Sequence, residues 1–119
     1  MRVAILSNRR DALGDFAQGL EADVDWIENP TDILGQAASG AWQLVVVDAM
    51  RSDLSYKSFL MDLLGKNAML NSVVITDMDE EAFHEDSEGL GVLCAVPAQP
   101  GRVHGEQAMK TLRRILGLG

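Results

Sequence analysis

The chain has 119 residues, 47% of them hydrophobic and 24% charged, a balance that fits one globular domain over residues 1–119 and excludes an extended disordered chain. The formal net charge of −8 repels phosphate backbones, so we expect no direct binding to nucleic acid. The single cysteine, Cys94, excludes an internal disulfide, and the first apolar run is too short for a membrane span or a signal-peptide core, so we expect a cytoplasmic protein.

Apolar runs alternate with stretches of helical spacing in the first part of the chain. The run at 3–6 predicts a buried strand, and apolar residues at helical spacing follow over 13–20. A mixed run at 24–27 predicts a less buried strand. Pro30 then opens a short helix that ends near Gly40.

The same alternation continues to the end of the chain. The run at 44–47 is the most β-branched and predicts the central strand, which ends at Asp48. Further strands are predicted at 73–75 and 92–96, and further helices at 56–64 and 103–116.

One segment, 77–88, fits this alternation poorly. It carries seven acidic side chains and little for a core beyond Phe83, so it predicts a short or irregular helix that is the most mobile part of the domain. The acidic side chains are Asp77, Asp79, Glu80, Glu81, Glu85, Asp86 and Glu88.

Five strands in alternation with helices predict an α/β fold. We expect a doubly wound, flavodoxin-like parallel sheet in the order 2-1-3-4-5 with helices on both faces. In such sheets the ligand crevice lies at the carboxyl ends of the strands. The residues at those ends are Ser7, Asn8, Asp48, Thr76, Val96 and Pro97.

The residues at three strand ends resemble receiver domains of two-component response regulators, the CheY-like family. The segment AWQLVVVDAM at 41–50 resembles the third strand and phospho-acceptor corner, and VVIT at 73–76 the fourth strand with its switch hydroxyl. The resemblance implies Asp48 as phospho-acceptor, Thr76 as switch, and a cis peptide bond before Pro97. It also implies a signalling module in a phosphorelay rather than an enzyme, with a histidine kinase or a downstream effector as partner.

Three positions depart from the receiver pattern. Ser7 and Asn8 stand where receivers have an acidic pair for Mg²⁺, and Val96 stands where they have a lysine. The resemblance is therefore to a degenerate receiver, or pseudo-receiver. One remaining carboxylate is a poor cage for a hard divalent cation, so we expect only weak Mg²⁺ binding and predict no other cofactor.

The sequence leaves the function of the crevice open. Asp48 is either a phospho-acceptor or a structural carboxylate, and one of Arg9, Arg10 and Arg51 either pairs with it or is a solvated surface residue. A working phosphotransfer catalyst and a small-molecule-binding flavodoxin-like domain are the alternatives to a partner-binding module.

A second surface combines the acidic segment with the basic end of the last helix. Lys110, Arg113 and Arg114 lie in that helix, so the chain carries both signs of charge close together. Such a surface can pair with a copy of itself as a homodimer or capture a different protein partner.

Overall fold

Residues 1–118 are described by a computed structural model. Five strands form one parallel sheet in the order β2-β1-β3-β4-β5, as the sequence predicts. The strands are β1 (Arg2–Leu6), β2 (Asp23–Ile27), β3 (Leu44–Asp48), β4 (Asn71–Ile75) and β5 (Val92–Val96). The helices are α1 (Gly14–Leu20), α2 (Pro30–Leu34), α3 (Tyr56–Lys66), α4 (Glu80–Asp86) and α5 (Arg102–Ile115), with a short 3-10 turn at Ala37–Ser39 after α2.

The sheet separates two apolar cores because successive side chains of a strand point to opposite faces. Val3 and Ile5 of β1 join the core under α1 and α5. Ala4 and Leu6 join the core under α2, α3 and α4. All five residues of the central strand β3 are buried, which explains its continuous β-branched run.

Helices α1 and α5 are in close contact through two glycines. A Cβ atom at Gly19 would lie 2.0 Å from the carbonyl oxygen of Arg102, and one at Gly105 would lie 2.2 Å from that of Phe16. No real Cβ atom fits at such distances. The absence of side chains at Gly19 and Gly105 therefore sets how closely α5 lies against α1.

Helix α4 is attached to α3 by an aromatic pair and by hydrogen bonds to Asp86. Phe83 is buried, and its ring stacks on that of Tyr56 with a centroid distance of 5.7 Å. The Tyr56 hydroxyl donates to Asp86, and Lys57 Nζ donates to the same carboxylate at 3.1 Å. The side chain of Asp79 accepts from the N–H of Ala82 at 2.8 Å and caps the helix. The sequence correctly indicated a short α4.

A groove of about 640 Å³ lies between α4 and the edge strand β5. Four of the five β5 residues are half-buried, whereas β3 is fully buried. We call this space the α4–β5 groove; its lining includes Asp77, Glu80, Phe83, Cys94, Pro97 and Ala98.

The peptide bond before Pro97 differs from the sequence prediction. None of the peptide bonds of residues 1–118 is cis, so the predicted cis bond is wrong. The expectation came from a family pattern that includes a lysine at the position of Val96. Without that lysine, the ordinary trans preference of an X–Pro bond decides the conformation.

Within residues 1–118, no helix has the length and apolar character needed to cross a membrane.

Candidate functional site

The carboxyl ends of β1, β3, β4 and β5 meet at one edge of the sheet and form a crevice. Ser7 follows β1, Asp48 ends β3, Thr76 follows β4 and Val96 ends β5. All four residues are buried. The structure thus brings together side chains that are far apart in the sequence, as a parallel sheet requires.

Asp48 is completely buried, and donors from the protein occupy both of its carboxylate oxygens. Oδ2 accepts from the Ser7 hydroxyl at 2.7 Å and from Arg9 Nε at 2.8 Å. Oδ1 accepts from Arg9 Nη2 at 2.9 Å and from the backbone N–H of Met50 at 3.1 Å. A carboxylate has about four acceptor sites. The hydrogen-bonding capacity of Asp48 is therefore filled within the chain.

Arg9 makes a two-pronged contact with Asp48 and also reaches a third strand end. Its Nη1 donates to the carbonyl oxygen of Ala98, just after β5, at 3.1 Å. The backbone N–H of Arg9 donates to the Ser7 hydroxyl oxygen at 2.9 Å, a turn that directs the side chain back over β3. Bidentate arginine–carboxylate pairs are stronger and more directional than single contacts. One guanidinium thus ties together the ends of β1, β3 and β5.

The charges of this pair are stable against proton transfer. Burial alone raises the pKa of Asp48, because desolvation penalises the carboxylate. The hydrogen bonds from Arg9, Ser7 and the Met50 N–H outweigh burial and bring the pKa of Asp48 below its ordinary value. The bond to Asp48 also raises the pKa of Arg9. Both groups are therefore charged at neutral pH.

The side chains at this site do not fit Mg²⁺, the ion that the receiver resemblance implies. Magnesium prefers octahedral coordination by oxygen atoms, with carboxylates supplying negative charge. Both oxygens of Asp48 already accept hydrogen bonds, and the Arg9 cation lies directly against them. Within residues 1–118, no cluster of three or more His, Cys, Asp or Glu side chains is arranged to hold a metal ion.

Thr76 and Asn8 also lie at the crevice. Among the hydrogen bonds of residues 1–118, neither side chain bonds to Asp48. The Thr76 hydroxyl accepts from the N–H of Met78 at 3.2 Å. The backbone N–H of Thr76 donates to the carbonyl of Val96 at 3.0 Å, which continues the pairing of β4 with β5. Asn8 is exposed. Thr76 is therefore positioned between the crevice and the α4–β5 groove, which it also lines.

The other two arginines near the crevice have different contacts. Arg51 pairs with Asp53 at 2.9 Å and donates to the carbonyl of Glu28. Arg10 lies over the ring of Trp26, with its guanidinium carbon 5.3 Å from the ring centroid. Of the three candidates named from the sequence, Arg9 is the one that pairs with Asp48.

The basic residues of α5 divide between two faces. Lys110 and Arg114 line a cleft against β5, beside Cys94. Arg113 lies instead on the α1 side, near Glu21. The sequence places Arg113 and Arg114 together as a partner surface, and the two arginines line different clefts because adjacent helix residues point about 100° apart. Their contact with a partner stays a prediction. Among the ion pairs within residues 1–118, none involves these three cations.

Two site features were missed from the sequence. The contact between Arg9 and the Ala98 carbonyl is invisible in a sequence, because a backbone acceptor carries no residue signature. Tyr56 and Asp86, which hold α4 against α3, lie in segments that were interpreted as an apolar face and an acidic run.

Several proteins of known structure share this fold. Neither the models of protein families nor the curated proteins include a match to this sequence. Among solved structures, a receiver domain from Methanospirillum hungatei has a TM-score of 0.78 at 15% identity, with 99% of this chain and 98% of that chain covered. A chemotaxis response regulator of Vibrio cholerae has a TM-score of 0.77 at 8% identity, covering 93% of this chain and 97% of the other. A CheY-like protein from Pseudomonas aeruginosa has a TM-score of 0.73 at 14% identity, covering 94% and 92%.

These similarities extend over nearly the whole of each chain. The protein therefore has the flavodoxin-like fold of CheY-like response regulator receiver domains, as its sequence resemblance implied. At these identities the similarity shows the fold alone.

Proposed function

We propose that this chain is a signalling module of receiver type that acts by binding a protein partner, with Asp48 as a structural carboxylate rather than a phospho-acceptor. The observation that carries the proposal is the complete occupation of the Asp48 oxygens by Ser7, Arg9 and the Met50 N–H. Ser7, Asn8 and Val96 then represent a degenerate receiver site in which Arg9 supplies the positive charge.

Phosphoryl transfer to Asp48 is unfavourable in this geometry. An attacking carboxylate oxygen must be free to approach phosphorus in line, and the charge that develops on the phosphoryl oxygens must be neutralised. Here the attacking oxygen would have to leave at least one prong of the Arg9 pair. Each missing stabilising contact of this kind costs about two to three decades in rate.

The partner surface that we propose is the α4–β5 groove with its two charged borders. Asp77 and Glu80 line the groove on the α4 side, and Lys110 and Arg114 line the cleft on the α5 side of β5. These four side chains form no ion pairs with one another or with other described residues. The surface is therefore two-signed and available for pairing between molecules.

A second copy of the chain is the first partner to test, because an isologous contact brings the acidic border of each copy against the basic border of the other. A histidine kinase or a downstream effector in a phosphorelay is the partner class that the receiver resemblance implies. Thr76, between crevice and groove, remains the candidate switch.

Charge reversal with sedimentation velocity tests the surface. One variant carries Asp77→Lys and Glu80→Lys, a second carries Lys110→Glu and Arg114→Glu, and Arg113→Glu is the matched control on the other face of α5. We expect the parent and the control to self-associate in a salt-sensitive way and each reversed variant to stay monomeric.

The decisive sample is an equimolar mixture of the two reversed variants. In an isologous pair, both contacts of such a mixture are again between opposite charges, so association should return. A mixture that stays monomeric, or a control that fails as badly as the reversed variants, contradicts the proposed surface. A parent that stays monomeric throughout contradicts self-pairing, and the same variants then serve to test a kinase or an effector.

A further inference from the structure

We propose that Arg9 is a positioning residue that sets the wall of the α4–β5 groove by holding the carbonyl of Ala98. The inference rests on the proposed function only in taking this groove as the binding surface. It assigns to the crevice a role that needs no phosphoryl group: the ion pair with Asp48 fixes Arg9, and Arg9 fixes the segment that borders the groove.

The segment between β5 and α5 makes few other hydrogen bonds. Residues 97–100 connect Val96, whose carbonyl accepts from the Thr76 N–H, to Gly101, whose N–H donates to Nδ1 of His104. Between those two anchor points, the bond from Arg9 Nη1 to the Ala98 carbonyl is the one hydrogen bond that residues 97–100 make within the described chain. Pro97 and Pro100 have no N–H to donate.

The same short segment forms part of the groove. Pro97 and Ala98 line it together with Thr76, Met78 and Cys94. Pro97 is exposed and Ala98 is half-buried, whereas Pro100 is buried and holds the end of the segment next to α5. Packing therefore restrains the groove wall less at Pro97 and Ala98 than at Pro100. A movement of the Ala98 carbonyl therefore changes the shape of the surface that we assign to partner binding.

Asp48 determines where the Arg9 guanidinium lies. Two of the guanidinium nitrogens are engaged by Asp48, at 2.8 Å and 2.9 Å, which leaves Nη1 directed at Ala98. A planar fork held at two points has little freedom at the third. Lysine would carry the charge but not this geometry, because its single ammonium cannot make all three contacts in a fixed plane.

The experiment separates positioning from stability by keeping the buried charges balanced. Arg9→Gln alone leaves Asp48 buried without its cation, so the informative variant is Arg9→Gln combined with Asp48→Asn. The double variant is compared with two single variants, Asp48→Asn, which keeps Arg9, and Arg9→Lys. Arg10→Gln is the matched control outside the crevice. All are measured under conditions in which each variant is folded.

Two readouts need no partner. The carbonyl ¹³C chemical shift of Ala98 reports its hydrogen bond directly. Cys94, the chain's single cysteine, lines both the α4–β5 groove and the cleft under α5, so the rate at which a disulfide reagent modifies it reports opening around β5 as a second readout. In the double variant we expect an upfield shift at Ala98 and a several-fold faster modification of Cys94. Asp48→Asn and Arg9→Lys should give smaller changes, and Arg10→Gln none.

A purely structural role for Arg9 would lower stability without moving either readout. If the double variant keeps the parental Ala98 shift and the parental Cys94 rate, the positioning role is wrong. If both readouts move while charge reversal at the groove leaves association unchanged, the positioning role stands and the proposed binding surface fails. The two proposals are thus tested separately.

Discussion

Replacing Arg9 with glutamine removes the cation from a carboxylate that has no contact with water. The Asp48 side chain is 0% exposed and that of Arg9 is 25% exposed. Removing one partner of a fully buried ion pair costs about 3–5 kcal/mol, because the remaining charge is left uncompensated. Two features reduce this figure here: water reaches Arg9, and Asp48 keeps its bonds from Ser7 and the Met50 N–H. We therefore expect Arg9→Gln to destabilise the fold by about 2–3 kcal/mol.

A double-mutant cycle isolates the pair from the rest of the fold. Urea unfolding of the parent, Arg9→Gln, Asp48→Asn and the double variant gives the four free energies of unfolding. The double variant should be more stable than the sum of the two single changes predicts, by about 1–2 kcal/mol, since it buries no lone charge. Additive effects, or a cost for Arg9→Gln below about 0.5 kcal/mol, would refute the view that Asp48 depends on Arg9.

Three further predictions concern pH and packing. The pKa of Asp48 is lower in the folded than in the unfolded chain. The ionised Asp48 carboxylate therefore stabilises the fold above about pH 4, and this contribution is lost as the pH falls through the folded pKa. The free energy of unfolding should depend less steeply on acidic pH in Asp48→Asn than in the parent. Gly105→Ala places a Cβ atom 2.2 Å from a backbone oxygen of α1 and should lower the free energy of unfolding in urea by about 1–3 kcal/mol. In Gly65→Ala, in α3, the new Cβ atom meets no atom within 4 Å, so stability should be unchanged or higher. Tyr56→Phe removes the hydroxyl bond to Asp86 and should cost about 1 kcal/mol and speed hydrogen exchange in α4 more than in β3.

The fold was predictable because its strongest signals are local. The run at 44–47 is β-branched and apolar throughout, as a strand covered on both faces must be, and it is the fully buried β3 in the structure. The strand ends followed from the same pattern, since parallel strands place their carboxyl ends together. The sequence alone therefore places Ser7 and Asp48 in one crevice.

Directions of side chains and backbone contacts were not predictable in the same way. Arg9, Arg10 and Arg51 were equivalent in the sequence, and the turn in which the Arg9 N–H donates to Ser7 selects Arg9. Arg113 and Arg114 are neighbours in the chain but lie on different faces of α5. The contact with Ala98 uses a main-chain oxygen that any residue carries.

The mobility of the acidic segment remains a prediction. Helix α4 has a capping aspartate, Asp79, and one buried aromatic side chain, Phe83. Apart from these, its main attachments are the bonds of Tyr56 and Lys57 to Asp86 at its last residue. Few apolar contacts make local opening inexpensive, so residues 77–90 should exchange their amide hydrogens faster than β3 in the free protein. Equal protection of the two segments would contradict this.

The most direct test of the central claim, that Asp48 is held by Arg9 and does not accept phosphate, is the intact mass of the chain after incubation with acetyl phosphate and Mg²⁺. The parent and Asp48→Asn should give the same spectrum, without the added mass of a phosphoryl group. A phosphorylated species that forms in the parent and is abolished by Asp48→Asn would contradict the account, because Asp48 would then have left the Arg9 pair to act as a nucleophile.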